Sequence, residues 1–256
     1  MDEIQFELND RIVRIEVSEG ETALEVLRER LGVSSLKVGC APQGYCGACT
    51  VLWDDRAVKT CVRRARRLVG ARLRTLDGLP TQQRQVLSRA FVSTAGLQCG
   101  FCTPGIAART VELLEAKSEP TEAEIRGALD KHLCRCTGWV KVVDAVREAA
   151  RHWRAETLPE LDPAHTPGSG AVRYQGLETA LGQRAFVDDL RVEGMLHGAL
   201  RLADHPRARL LSIDASAARA LEGVVAVLTA DDLTAARRVG PIFQDWPVYI
   251  GVGELS

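Results

Sequence analysis

With 256 residues, the chain has room for one large domain or a few small ones. Its 46% apolar and 26% charged residues exclude a disordered chain, and a formal charge of −1 gives no overall pull toward nucleic acid or membrane. No apolar run approaches the roughly 20 residues that cross a bilayer. The acidic, alternating start MDEIQFELND lacks the parts of a secretory signal, so a soluble cytoplasmic protein is expected.

The first elements are two strands. Ile4–Leu8 and Ile12–Val17 alternate apolar and polar residues about Asn9-Asp10, which predicts a hairpin. Thr22 opens a helix with Leu24, Val26, Leu27 and Leu31 on its buried face, stopped by Gly32. A loop rich in glycine and cysteine runs from Gly39 to Gly47. Strands at Cys49–Trp53 and Ala57–Val62 follow, with Asp54-Asp55 as their turn. A hairpin, a helix, a ligand-bearing loop and returning strands form a β-grasp pattern, assigned to residues 1–76.

Residues 77–155 read as a small four-helix bundle. Its helices are predicted at Gln83–Ala95, Gly105–Lys117, Glu122–His132 and Val140–Trp153. Thr103-Pro104 is the expected start of the second, with Thr103 as its cap; Thr121 and Glu124 form a capping box for the third. Residues 156–171, rich in proline and glycine, are read as a linker. From 172 to 256 strands are expected at Met195–Leu202, Ala208–Asp214 and Val224–Thr229, with helices at Ala215–Leu221 and after Thr229. This part reads as the opening of a larger domain, incomplete alone and covered by another chain. The fold class is α+β.

Eight cysteines stand in two sets of four: Cys40, Cys46, Cys49 and Cys61, then Cys99, Cys102, Cys134 and Cys136. Inert buried thiols account poorly for such spacing. Disulfides lack an oxidising compartment, and Cys134 and Cys136 are too close to bridge without strain. Zinc suits the C-x-x-C pairs but suits C-x-C less well. Iron–sulfur is favoured, since each [2Fe–2S] cluster takes four thiolates; the other two readings stay open. Gly39, Gly44 and Gly47 let backbone N–H groups approach sulfide in the first set, whereas the second takes its pairs from helix starts and is expected to be more buried.

Elsewhere the sequence is bland. His132, His152, His165, His197 and His205 have no ligand-spaced partners, and Asp188-Asp189 and Asp204-His205-Pro206 read as turns and caps. The stretch Lys59–Arg74 carries seven basic residues and no acid. Without interleaved aromatics it reads as a solvated or protein-docking face rather than a nucleic-acid patch. No phosphate loop, dinucleotide fingerprint or Ser/His/Asp set is present, so no catalytic residue is assigned.

The motifs VGCAPQGYCGACTV, QCGFCTPG and CRCTGW, over residues 1–155, resemble the paired [2Fe–2S] domains of the molybdenum hydroxylases. That family includes xanthine dehydrogenase, aldehyde oxidase and carbon monoxide dehydrogenase. The run from FVDDLRVEGMLHGAL onward is similar to the start of the α/β hammerhead domain of that family's molybdenum-binding part. The resemblance implies that Cys40, Cys46, Cys49 and Cys61 hold a plant-ferredoxin-like cluster facing a flavin or external acceptor. It implies that Cys99, Cys102, Cys134 and Cys136 hold a cluster beside molybdopterin, with Gln98 and Cys136 against the pterin. Electrons would pass from molybdopterin through both clusters to FAD or another acceptor during hydroxylation of a purine or other N-heterocycle, an aldehyde or carbon monoxide. Molybdopterin and FAD are expected on partner chains, in a hetero-oligomer open to dimerisation, with no nucleic acid bound.

Two departures stand out. Five residues separate Cys40 from Cys46, one more than is usual in the family, and Trp139 stands where tyrosine is commoner. The extra residue should bulge the loop without removing a ligand. A stand-alone ferredoxin-like carrier and a zinc-binding interaction module are the alternatives, and the hammerhead-like segment argues against the carrier.

Overall fold

The computed structural model describes residues 2–155, 157–162 and 172–255. It divides into two units, Met1–Arg191 and Val192–Ser256.

The first unit opens with strands β1 (Asp2–Leu8) and β2 (Arg11–Val17), paired antiparallel through an Asn9-Asp10 turn whose residues both have positive φ. Thr22 and Glu25 cap each other: the Thr22 N–H donates to Glu25 Oε2 at 2.7 Å and the Glu25 N–H to Thr22 Oγ1 at 3.2 Å. The turn they start widens into a π-type helix over Glu25–Arg30, and Gly32 ends it at φ +71°. Strands β3 (Thr50–Trp53), β4 (Arg56–Lys59) and β5 (Arg72–Arg74) complete a mixed sheet of order β2-β1-β5-β3-β4, with β1 and β5 parallel. Phe6, Leu27, Val51, Leu68 and Leu73 fill one face of it.

Four helices follow: α1 (Thr81–Ser93), α2 (Thr103–Ala116), α3 (Glu122–Leu129) and α4 (Trp139–His152). The Thr121–Glu124 capping box of α3 is present. Thr103 is not the cap of α2 but its first residue; Cys102 holds the cap position, because the helix begins as soon as the cysteine loop closes. Alternation along β3 couples the two layers. Val51 points into the sheet core, while Leu52 joins Phe91, Ile106, Val111 and Val146 in the helical core.

The structure does not divide where the expected linker ends. Residues 157–162 lie on α1: Pro159 is buried, and the Thr157 and Pro159 carbonyls accept from Gln82 Nε2 at 3.0 Å and Arg89 Nε at 2.7 Å. Residues 163–171 and Glu156 lie outside the described set. A short helix, α5 (Gly176–Ala180), then packs on α1 and α2, and the first compact unit runs to Arg191.

In the second unit the three expected strands do not form, because among the described residues their N–H and C=O groups find no continuous partner. Only a bridge between Arg209 and Leu255 and the short pair β6 (Arg238–Val239) and β7 (Trp246–Pro247) appear. The helix expected at Ala215–Leu221 contracts to α6 (Ser216–Arg219), started by the Asp214 carboxylate accepting from the Ser216 N–H at 3.0 Å. After Thr229 there is one 3₁₀ turn, Ala230–Asp232, closed by a Thr229–Asp232 capping box.

Candidate metal centres

All eight cysteines are free thiols, and neighbours within each expected set come close in pairs. In the first, the loop over residues 40–46 folds back on Cys40, whose Sγ accepts from the Tyr45 and Cys46 N–H groups at 3.2 Å each. Gly44 lies at φ +73°, and a Cβ there would sit 2.7 Å from Val62 Cγ1. Lys59 Nζ ties the loop to β4 by donating to the Gly44 and Tyr45 carbonyls at 2.6 and 3.0 Å. Cys49 enters just before β3. Cys61 sits not on a strand but on the 3₁₀ turn Thr60–Val62, where β4 breaks so that Thr60 can donate through Oγ1 to the Cys49 carbonyl at 2.9 Å.

The second set straddles two helix starts. Cys99 and Cys102 lead into α2, and Cys134 and Cys136 precede α4. The Phe101 N–H lies 3.5 Å from Cys99 Sγ. Gly100, at φ +82°, lets Thr179 of α5 close over this loop; a Cβ would meet Thr179 Cγ2 at 2.0 Å. Gln98 Nε2 donates to the Cys136 carbonyl at 3.2 Å, which joins the two halves of the set. The expectation that this set is the more buried is overturned: Cys99 and Cys136 are exposed, while Cys49 and Cys61 of the first set are buried. The helix-start loops turn at the surface end of the bundle, and only Cys102 packs toward the helical core.

Within each set the thiols pair. Cys40 neighbours Cys46, Cys49 neighbours Cys61, Cys99 neighbours Cys136, and Cys102 neighbours Cys134. Desolvation is the largest influence on Cys40, Cys46, Cys61, Cys99, Cys102 and Cys134. Burial first, then the neighbouring Cys49, pushes Cys61 up to about 12, and burial with Cys134 beside it drives Cys102 higher still. At Cys40 burial is outweighed by the N–H groups of Cys46, Tyr45 and Gly44. At Cys134 it is outweighed by those of Cys136, Thr137 and Gly138 with the Cys102 thiol, and both thiols fall below the ordinary range. Backbone donors aimed at sulfur stabilise thiolate.

This donor set fits a two-iron core. At each site two thiol pairs would supply the four thiolates such a core takes, and the neighbouring N–H groups would hydrogen-bond the sulfurs.

Two features between the sites were not legible in the sequence. His132, expected to be ordinary, is buried between the loops with Nε2 3.2 Å from Thr50 Oγ1. Burial, then the positive charges of Arg109 and Lys59, lowers its pKa to about 4. Asp189, expected as a turn residue, does cap the Phe186 N–H at 2.9 Å. Its carboxylate also pairs with Lys37 Nζ at 2.6 Å and Arg28 Nη1 at 2.7 Å, with all three side chains buried. Phe186 lies under the Lys37 ammonium at 5.0 Å and meets Phe101 edge-on at 5.6 Å, so this segment touches the second cysteine loop and the residue just ahead of the first. These partners are separated by about 150 positions, beyond any local pattern. Of the basic stretch, Arg72 and Arg74 pair with Asp55 and Arg74 also with Glu115, while Arg63, Arg66 and Arg67 stay exposed.

Comparison with known proteins agrees with this arrangement. Residues 6–75 match the 2Fe-2S iron-sulfur cluster binding domain, 75–147 the [2Fe-2S] binding domain, and 181–249 the a/b hammerhead domain of aldehyde oxidase and xanthine dehydrogenase. An aldehyde oxidoreductase from Megalodesulfovibrio gigas is 34% identical over 229 residues, 84% of this chain but 25% of that protein. The nicotine 6-hydroxylase small subunit of Paenarthrobacter nicotinovorans is 41% identical over 147 residues, 57% of this chain and 88% of the subunit. The crystal structure of the aldehyde oxidoreductase from Desulfovibrio desulfuricans superposes with a TM-score of 0.86 at 31% identity, over 97% of this chain and 30% of that one. The chain thus spans a quarter to a third of its longer relatives and most of the small subunit. It belongs to the molybdenum hydroxylase family.

Proposed function

We propose that this chain is the iron–sulfur electron-transfer part of a molybdopterin-dependent oxidoreductase. The observation that carries the reading is the pairing of thiols at two sites, each ringed by backbone N–H groups. In this reading residues 1–76 are a β-grasp, ferredoxin-like domain, 77–155 a four-helix [2Fe–2S] domain, and the segment within 172–256 the start of a hammerhead domain. Cys40, Cys46, Cys49 and Cys61 hold one cluster, and Cys99, Cys102, Cys134 and Cys136 hold the other. When bound, each cluster supplies storage for a single electron.

The chain's residues give the carriers a direction. The exposed edge formed by Gln98, Cys99 and Cys136 faces the molybdopterin-bearing part, where substrate is oxidised. The loop around Cys40 and Cys46, with exposed Tyr45 and Val62, faces FAD or another acceptor. The buried pairs at Cys49/Cys61 and the core-facing Cys102 lie away from solvent. The assembly is a hetero-oligomer with a molybdopterin-binding chain and a flavin-binding one. Among the described residues no helix is long and apolar enough to cross a membrane, which is compatible with the cytoplasmic placement this reading adopts. The substrate class stays that of the family: an N-heterocycle, an aldehyde or carbon monoxide.

The test is direct. Anaerobically purified protein should be red-brown, contain two irons and two acid-labile sulfides per four-cysteine set, and show two distinct S = 1/2 signals on reduction. Colourless protein with stoichiometric zinc would sink the reading.

A further inference from the structure

His132 sits where the two cysteine loops meet. It is 1% exposed, and its Nε2 lies 3.2 Å from Thr50 Oγ1. Thr50 donates its single hydroxyl proton to the Gly47 carbonyl at 2.7 Å, so the imidazole must be the donor in the contact between them. Thr50 directly follows Cys49, and His132 stands two positions before Cys134. One side-chain hydrogen bond therefore links the neighbours of a ligand from each set. A backbone bond runs beside it, from the Leu133 N–H to the Cys46 carbonyl at 2.9 Å.

Two glycines show how closely these parts are pressed together. Gly47 lies at φ +74°, and a Cβ there would come within 2.4 Å of His132 Cδ2. A Cβ on Gly105, in the first turn of α2, would come within 2.2 Å of the Gly47 carbonyl oxygen. The first loop is thus held between the start of α2, which carries Cys102, and the ring of His132, which leads to Cys134. A smaller side chain would leave a void beside Gly47 and release Thr50; a larger one has no room.

We propose that His132 is a positioning residue that fixes the separation of the two metal centres, and with it the strength of their electronic communication. This rests on the reading that each cysteine set holds a [2Fe–2S] cluster. The sequence alone gives His132 no such role, because its partners Gly47 and Thr50 lie more than eighty positions away.

The experiment measures the spin–spin interaction between the two reduced centres by low-temperature and pulsed dipolar EPR, on the intact chain with iron content matched between variants. His132→Ala should keep both S = 1/2 signals and alter their mutual splitting. Thr50→Val, which removes the hydrogen bond at nearly constant shape, should shift it in the same direction. His132→Gln, which keeps an N–H donor for Thr50, should restore part of the parent value. A purely structural role would lower thermal stability in all three and leave the splitting as in the parent; that result, at full cluster occupancy, overturns the proposal. If His132→Ala fails to load its clusters, Thr50→Val decides, and an unchanged splitting there overturns it equally. A parent protein without [2Fe–2S] signals would instead count against the functional reading beneath it.

Discussion

At Cys134 the backbone does most of the work: three N–H groups, from Cys136, Thr137 and Gly138, hold its thiol below the ordinary range against the cost of burial. At Cys61 and Cys102 burial dominates and the thiols stay protonated in the metal-free chain. Each set thus joins a thiol whose ionisation the backbone favours to one whose ionisation burial opposes until a metal binds. Cys134→Ser should therefore abolish the second centre and leave the first. Iron should fall to two per chain, and one S = 1/2 signal should persist unshifted. Loss of both signals would mean that the sites do not assemble independently. At this scale the sequence was most legible for the cysteines, whose spacing is local. It was silent on His132, which becomes informative only when Gly47 and Thr50 are folded against it.

Among the elements, the segment from Gly176 to Arg191 is the one whose role the chain's local pattern did not disclose. Apart from β5, which the sequence pattern did not predict, strands and helices up to residue 153 follow apolar periodicity and caps, and the observed ends differ by a few residues where a cysteine loop or a 3₁₀ turn intervenes. This segment instead folds through distant ion pairs. Lys37, 1% exposed, would be a costly charge without Asp189. Burial, the largest influence, presses the Lys37 pKa down despite that partner. Burial acts the other way on Asp189, but hydrogen bonds from Lys37, the Phe186 N–H and Arg28 overcome it and leave the carboxyl below its usual value. A carboxyl depressed in the folded state adds stability that is present above the unfolded value of about 4 and is lost as pH falls through the folded value. Asp189→Asn leaves two buried cations short of a counter-charge and should cost about 3–5 kcal/mol at neutral pH. Its loss of stability on acidification should also be shallower than the parent's. Urea midpoints from pH 7 down to pH 3 measure both; parallel curves would show that Asp189 is not the titrating group.

Across the whole molecule the two units differ in kind. The first has two apolar cores, whereas among the described residues of the second only Ala215 and Ala230 are buried apolar side chains. Leu196, Leu202 and Leu211 are exposed, and Leu200 is 81% exposed. The strands expected there do not form, because a strand is completed by its neighbour, and the pattern along one segment does not say where that neighbour lies. Such exposed apolar surface marks a place where further protein surface fits. Hydrogen exchange separates the two cases. Amides in α1, α2 and α4, whose bonds are covered by the helical core, should exchange only through global opening. Those at 195–202, which lack ladder partners among the described residues, should exchange near the rate of an unfolded peptide. If the proposed molybdopterin-bearing chain supplies the pairing, its addition should slow exchange at 195–202 and leave α4 unchanged. Strong protection of 195–202 in the chain by itself would show that these residues already pair, and that their strands close within this polypeptide.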